Sequence, residues 1–357
     1  MFDVAIIGAG VAGLACAQQL HQSGYRVVVV EKSRGVGGRM ATRRLETTCA
    51  DHGVRYLEAQ GKFLPPLIEV LLQRGILQAW TDDVYQLNST QPEITNESES
   101  SQINRYVAPA GMTAVAKFLA KDLEMWLNRR VEAITPTAEN TWHLTLNSPD
   151  ETFQELTAKA VVMAIPAPQA LMLVEPLRGT IASEFLDRLG TVEFDPCITV
   201  MAGYQNEQLS LPSWQACDVS HNADLAWIGL DSSKRSNATA PIFVLHSTSE
   251  FAHLYLDTED LKPIGQQLLS SAAELLIPGL DNPDWFQVHR WRYAFTSHSL
   301  GQNYLYSATP LPLICCGDWC GGDLINGAMN SGIVAASKIN SQLQQKILPG
   351  EAYLDIL

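Results

Sequence analysis

The chain has 357 residues, 46% hydrophobic and 17% charged, with a formal net charge of −14. That is enough apolar material for a large core, and the length suits two domains. So acidic a surface argues against a nucleic-acid or anionic-membrane partner, and the longest apolar run, 158–174, is broken by Lys159, Pro166, Pro168 and Gln169 and does not read as a membrane span.

The first residues enter an apolar strand with no basic leader, and the cysteines are odd in number and scattered. Both features suit a cytoplasmic protein with free thiols. Cys315, Cys316 and Cys320 lack zinc-ligand spacing and read as small apolar fillers, so no metal site is expected.

In chain order, the first element is the apolar strand Val4-Ala5-Ile6-Ile7, followed by Gly8-Ala9-Gly10-Val11-Ala12-Gly13. A helix comes next, then a second strand from Arg26 to Val30 that ends in Glu31. This is the pattern of a dinucleotide-binding βαβ unit. Gly8 permits the tight turn, Gly10 lets backbone approach a pyrophosphate, and Gly13 lets the helix pack on the sheet. Val11 and Ala12 sit where the helix aims its free N–H groups and positive dipole end at phosphate. Glu31 lies eighteen residues beyond Gly13, placed to accept hydrogen bonds from an adenosine ribose. Glycines at a strand-helix turn can also be purely structural; the two strands and the acid favour the nucleotide site. A second glycine pair follows Lys32, at Gly37-Gly38, and leads into Arg39 and Met40. The pair can present N–H groups, and the planar fork of Arg39 can meet phosphate. A reversibly bound NAD has no evident use for this second loop; a cofactor held along its whole length does.

Further along, Ala50-Asp51-His52-Gly53-Val54-Arg55-Tyr56 is a short segment, and 62–74 reads as a helix. The polar stretch Gln86 to Asn104 reads as an exposed loop. A helix over 113–122 returns the chain to the first domain, and 127–134, containing Val131, reads as one strand. The runs 142–146 and 152–156 alternate as a hairpin would, and 160–166 reads as a buried strand. Strands are expected at 197–204, 225–230 and 242–247, with a helix over 263–276 outside them. Near the end, the strand Leu313 to Cys316 leads into Gly317-Asp318, then a helix containing Gly327 and Ala328 and running to about Gln345. Two nucleotide signatures about 300 residues apart imply that the first and last segments meet in space.

The glycine turn, Glu31 and the Gly-Gly-Arg loop resemble the flavin-dependent amine oxidase superfamily. The resemblance implies FAD as cofactor, with Asp318 on a ribityl hydroxyl and the N–H groups near Gly327 and Ala328 stabilising charge on the reduced ring. It also implies that Gly53, Val54, Arg55 and Tyr56 lie beside the flavin and that the backbone of Val131 meets the adenine. Adding Phe243 to Thr248 and Arg290-Trp291-Arg292-Tyr293, the whole chain is similar to the renalases. The implied fold is α/β: an FAD-binding GR2-type Rossmann-like domain and a mixed or antiparallel-sheet substrate domain, an architecture like that of p-hydroxybenzoate hydroxylase. The first would take 1–60, 105–166 and 289–345; the second, 61–104 and 167–288; and 346–357 would be a tail.

The activity implied is FAD-dependent oxidation of an isomeric dihydronicotinamide dinucleotide, with O2 becoming H2O2. Hydride transfer of this kind needs stacking and a polar contact to the carboxamide more than a proton acceptor. His246, Arg292 and Tyr293 are the candidate catalytic residues. Residue type alone leaves His246 as a substrate contact or a satisfied core histidine, Arg292 as a phosphate contact or an ordinary ion pair, and Trp291 and Tyr293 as pocket walls or core. A flavin amine oxidase cleaving a C–N bond is the alternative, although no lysine in the expected sheet strands announces itself. A non-catalytic FAD-fold binding protein is the alternative of another class.

Overall fold

The computed structural model describes residues 1–96, 104–147, 153–205 and 209–357. Two sheets organise them. The first has eight strands, in the order Glu124–Leu127, Val27–Glu31, Phe2–Ile7, Phe153–Met163, Trp142–Asn147 and Arg130–Pro136, with Leu313–Cys315 and Leu305–Ser307 joining beside Phe153–Met163. Strands Phe2–Ile7 and Val27–Glu31 are almost fully buried and rich in valine and isoleucine, as a parallel strand covered on both faces requires.

One sheet face is covered by the helices Val11–Gln22 and Leu324–Gln342, which meet so closely that a Cβ on Gly332 would stand 2.1 Å from the Ala12 carbonyl oxygen. The two chain ends thus meet as the paired nucleotide signatures imply. Leu64–Gln73 packs its Leu64, Leu67, Ile68 and Leu71 into the same core. That places it with the first sheet, although 61–104 was expected in the second domain.

The second sheet has seven strands, in the order Trp285–His298, Glu193–Gly203, Ile242–Ser247, Leu225–Leu230, Ala216–Ser220, Tyr85–Asn88 and Gln91–Asn96. All its pairings are antiparallel except that of Ala216–Ser220 with Tyr85–Asn88. Its outer face packs Val200, Leu245 and Ile228 against the helix Lys262–Leu275. Its inner face packs Met201, Val244 and Trp227 toward Ala50 and Tyr56 of the first domain.

Four local expectations are corrected. Residues 85–96 form a hairpin that extends the second sheet, so the loop expected there is at least partly strand; 97–103 lie outside the described residues. The single strand expected over 127–134 is two, broken by Asn128, whose φ is +52°. Residues 153–163 form one continuous strand, antiparallel to Trp142–Asn147 and then parallel to Phe2–Ile7, where two were expected. Trp285–His298 also runs unbroken through the boundary expected at 288 and pairs along its length with Glu193–Gly203, because the hydrogen-bond ladder continues past it.

Candidate active site

The nucleotide end is built on the turn after Phe2–Ile7. Gly8 has φ +103°, and a Cβ on Gly13 would stand 2.2 Å from the Gly8 carbonyl oxygen, so the helix can start this close to the strand only without side chains at both positions. Gly10 caps Val11–Gln22 with no side-chain acceptor for its first N–H groups, those of Val11, Ala12 and Gly13. Glu31 is 8% exposed and accepts hydrogen bonds from the N–H of Ala9 at 2.9 Å and of Ser33 at 2.8 Å. Lys32 is exposed, and Val131 is buried two residues beyond Arg129, whose N–H donates to the Glu31 carbonyl.

Gly38 faces Gly10: a Cβ on it would lie 3.4 Å from the Gly10 Cα, while Gly10 itself opens into free space. Met40 is buried beside this loop. Arg39 is also held by a carboxylate. Its guanidinium grips Asp318 with both terminal nitrogens, one of them at 2.9 Å, and also donates to the Ala294 carbonyl at 3.1 Å. The reason is electrostatic: Asp318 is 2% exposed, and a buried carboxylate at a helix start takes the nearest cation. Gly327 and Ala328 lie in the first turns of Leu324–Gln342, whose cap residue Asp323 leaves its N–H groups without a side-chain acceptor.

Between the domains runs 50–56. A Cβ on Gly53 would stand 1.9 Å from the Arg39 carbonyl oxygen, and Val54 N–H donates to that same oxygen at 2.9 Å. His52 stacks on Trp291, with ring centroids 5.5 Å apart and planes at 23°, and meets His289 edge-on at 4.9 Å. Trp291 Nε1–H donates to the His52 carbonyl at 2.7 Å, so Trp291 props this segment from the second sheet. Tyr56 lies against Trp80, with the Arg105 guanidinium over its ring.

The inner face of the second sheet carries a transverse row. Asp218 is paired in register with Trp227, Trp227 with His246, His246 with Thr199, and Thr199 with His289, each on a neighbouring strand. Directly opposed residues share a face, so the five stand in line. Arg55 reaches this row from the first domain. Its Nε donates to His246 Nδ1 at 3.2 Å, its NH1 to Asp218 at 3.1 Å, and its guanidinium lies 4.7 Å from the centre of the Trp227 ring. Burial pushes the His52 imidazole down to about 3 and the His289 imidazole down to about 4. Burial and then the Arg55 charge hold His246 well below its ordinary value. All three are neutral at physiological pH.

The three candidate catalytic residues are not brought together. His246 is on the inner face, whereas Arg292 points the other way, half exposed and ion-paired with Asp257 at 2.9 Å. Alternation along Trp285–His298 makes Arg292 face opposite to Trp291. Tyr293 packs edge-on against Phe194 at 5.4 Å. Arg292 and Tyr293 line a separate cavity of about 420 Å³, together with Pro168, Phe194, His253 and Ser297.

The sequence also hid a charged cluster. Lys234, fully buried, sits 2.7 Å from Asp231 and 3.3 Å from Asp51; Arg235 is 2.6 Å from Asp231 and 3.3 Å from Asp51. Asp51 also accepts from Thr42 Oγ1 at 2.7 Å and Met112 N–H at 2.8 Å. Asp231 to Lys234 is a short 3-10 turn leaving the second sheet, so the cluster ties the two domains. Residue type announced none of this, because Asp51 lies 183 residues from Lys234.

A glycine-cradled nucleotide site roofed by a second sheet defines a dinucleotide-binding flavoprotein. Known proteins agree. A family model described as "Flavin containing amine oxidoreductase" matches residues 75–340, and one described as "NAD(P)-binding Rossmann-like domain" matches 6–71. The chain belongs to the flavin-containing amine oxidoreductase family. It is 33% identical over 92 residues to "Amine oxidase [flavin-containing] B" of Cavia porcellus, a match covering 26% of this chain and 16% of that protein. Its human counterpart is 39% identical over 64 residues, 18% of this chain and 11% of the relative. The matched segments are thus a small part of these relatives. Cyclohexylamine oxidase from Brevibacterium oxydans superposes with a TM-score of 0.68 at 15% identity, covering 96% of this chain and 99% of that one. A putrescine oxidase superposes with the same score at 16% identity over 95% of this chain and 99% of its own. At such identities the likeness is one of fold.

FAD is the family's cofactor, and the residues fit it. The open space over Gly10 facing Gly38, the uncapped N–H groups of two helices and the buried rim carboxylate of Glu31 form a cradle for a dinucleotide. Among the described residues no helix is long and apolar enough to cross a membrane, and no group of three His, Cys, Asp or Glu is placed to hold a metal ion.

Proposed function

We propose that the protein is a cytoplasmic oxidase, renalase-like in its chemistry, whose substrate is an NAD(P)H isomer carrying its hydride at an unusual ring position. FAD, when bound, would supply the two-electron acceptor for that hydride, and the overall reaction would convert substrate, O2 and one proton into NAD(P)⁺ and H2O2. The observation that carries this reading is the character of the inner face. Its imidazoles are neutral, its carboxylate Asp218 is engaged by Arg55, and the buried Lys234 is locked between two aspartates. A dihydronicotinamide asks for such a surface, since its oxidation releases no proton that a base must catch. His52 stacked on Trp291 offers a flat wall, and the tilted Trp227–His246 pair a second aromatic surface, to orient a planar ring and exclude water.

A second reading, oxidation of an amine, is favoured by the relatives that match part of the chain, named as flavin-containing amine oxidases. Anaerobic mixing of the FAD-loaded protein with 2- and 6-dihydro-NAD, ordinary NADH and a panel of amines separates the two. Bleaching of the flavin by an isomeric dihydronicotinamide alone supports the first; bleaching by an amine replaces it with the second.

A further inference from the structure

Two ring nitrogens on adjacent strands of the inner face have no hydrogen-bond partner, and neither does the Thr199 hydroxyl beside them. Arg55 carries only donors, so the His246 nitrogen facing it must offer a lone pair. The neutral imidazole then keeps its proton on Nε2. That nitrogen is buried and makes no hydrogen bond, and the same holds for Trp227 Nε1 on the neighbouring strand. The two rings lie 5.0 Å apart. Buried polar atoms in native folds are nearly always satisfied, so two adjacent orphan donors mark a place for an acceptor.

We propose that Arg55 is a positioning residue which fixes His246 as an Nε2–H donor, and that this donor and Trp227 Nε1–H together take an acceptor oxygen of the substrate, a carboxamide or a carboxylate, and turn away an ammonium. The assignment rests on the proposed function only in taking the inner face as the substrate side. An ammonium brought against these two ring N–H groups would meet donors from both, and the unpartnered acceptor next to them in the row is only the neutral hydroxyl of Thr199. It would also meet the Arg55 guanidinium, which already holds Asp218, the carboxylate of that row. Burial and the Arg55 charge keep His246 from becoming a cation, so the donor pattern does not change with ordinary shifts of pH. Arg55 is itself held at three points, by Asp218, His246 and the face of Trp227, which is the rigidity a tautomer-setting group needs.

The test uses the FAD-loaded full chain with benzamide, benzoate and benzylamine as probes, followed through the flavin absorbance, and nitrogen-15 histidine NMR to read the tautomer. Benzamide and benzoate should bind at least about tenfold more tightly than benzylamine, and His246 should show the Nε2–H form. His246→Phe and Trp227→Phe should each weaken benzamide by about tenfold, the worth of one hydrogen bond. Arg55→Met should give mixed tautomers and a similar loss, and Arg55→Lys, also a pure donor, should restore part of both. Benzylamine binding as tightly as benzamide, or an Nδ1–H tautomer in the wild-type protein, would overturn the proposal. If Arg55→Met does not fold, the wild-type spectrum and Arg55→Lys still decide it. Benzamide binding through His246 in a protein whose flavin no dihydronicotinamide bleaches would sink the proposed reaction and leave this site standing.

Discussion

Arg39 and Asp318, 279 residues apart in the chain, are joined by a two-pronged ion pair between the loop after the first βαβ unit and the start of the short helix Asp318–Gly321. This pair fastens the two nucleotide signatures to each other. Arg39→Ala leaves the Asp318 carboxylate buried with its cation gone, while the partial exposure of Arg39 lets water screen some of the loss. We expect a cost of about 1–3 kcal/mol, read as a fall in melting temperature, together with weaker FAD retention. An unchanged melting temperature would show that the pair is dispensable.

Glu31 holds the glycine turn through Ala9 N–H and terminates the second strand through Ser33 N–H. Glu31→Ala removes both acceptors and the ribose contact assigned to the carboxylate. Reconstitution of the apoprotein should show FAD affinity reduced by about 10- to 100-fold, on the scale of one or two charge-assisted hydrogen bonds. Full occupancy at stoichiometric FAD would remove Glu31 from the cofactor site.

The Lys234–Arg235–Asp51–Asp231 cluster is sealed from water. Lys234→Met removes one cation and leaves two buried carboxylates sharing a single guanidinium, which should destabilise the fold by about 3–5 kcal/mol in denaturant titrations. A loss below about 1 kcal/mol would mean that the cluster is plastic enough to admit water.

Stability should decline in acid in two steps. His52, His246 and His289 have folded-state values below the unfolded 6.5, so the unfolded chain binds more protons below that pH. Their contribution is complete above 6.5 and is lost as pH falls toward 4 and then 3. Each costs about 1.4 kcal/mol per pH unit within its window. Burial alone would raise the carboxyl of Asp51, but Lys234 and Arg235 outweigh it and hold the group below 3.8, so its contribution is lost only at pH below that value. Melting temperatures at pH 7.5, 6 and 5 should fall steadily, and His289→Gln should flatten the curve. A profile flat from 7.5 to 5 would contradict the buried neutral histidines.

The glycine turn, Glu31, the second glycine pair and Gly317-Asp318 were legible in the sequence because each answers a local demand of the backbone: a tight turn, a close approach, a strand end. Short apolar runs likewise marked the sheet strands at 225–230 and 242–247, which are buried almost throughout. What no local pattern carries is register. His246 became the neighbour of Trp227 and Thr199, and Arg292 was turned away from both, only when antiparallel ladders fixed which residues oppose each other across strands far apart in the chain. The same holds for the pairing of Arg39 with the buried carboxylate of Asp318, and for Lys234, an ordinary lysine until the distant Asp51 joins the adjacent Asp231 in enclosing it. Local backbone chemistry therefore marked the dinucleotide site, and the family resemblance named FAD for it. The long-range pairing of strands decided which side chains meet it and in what state of charge.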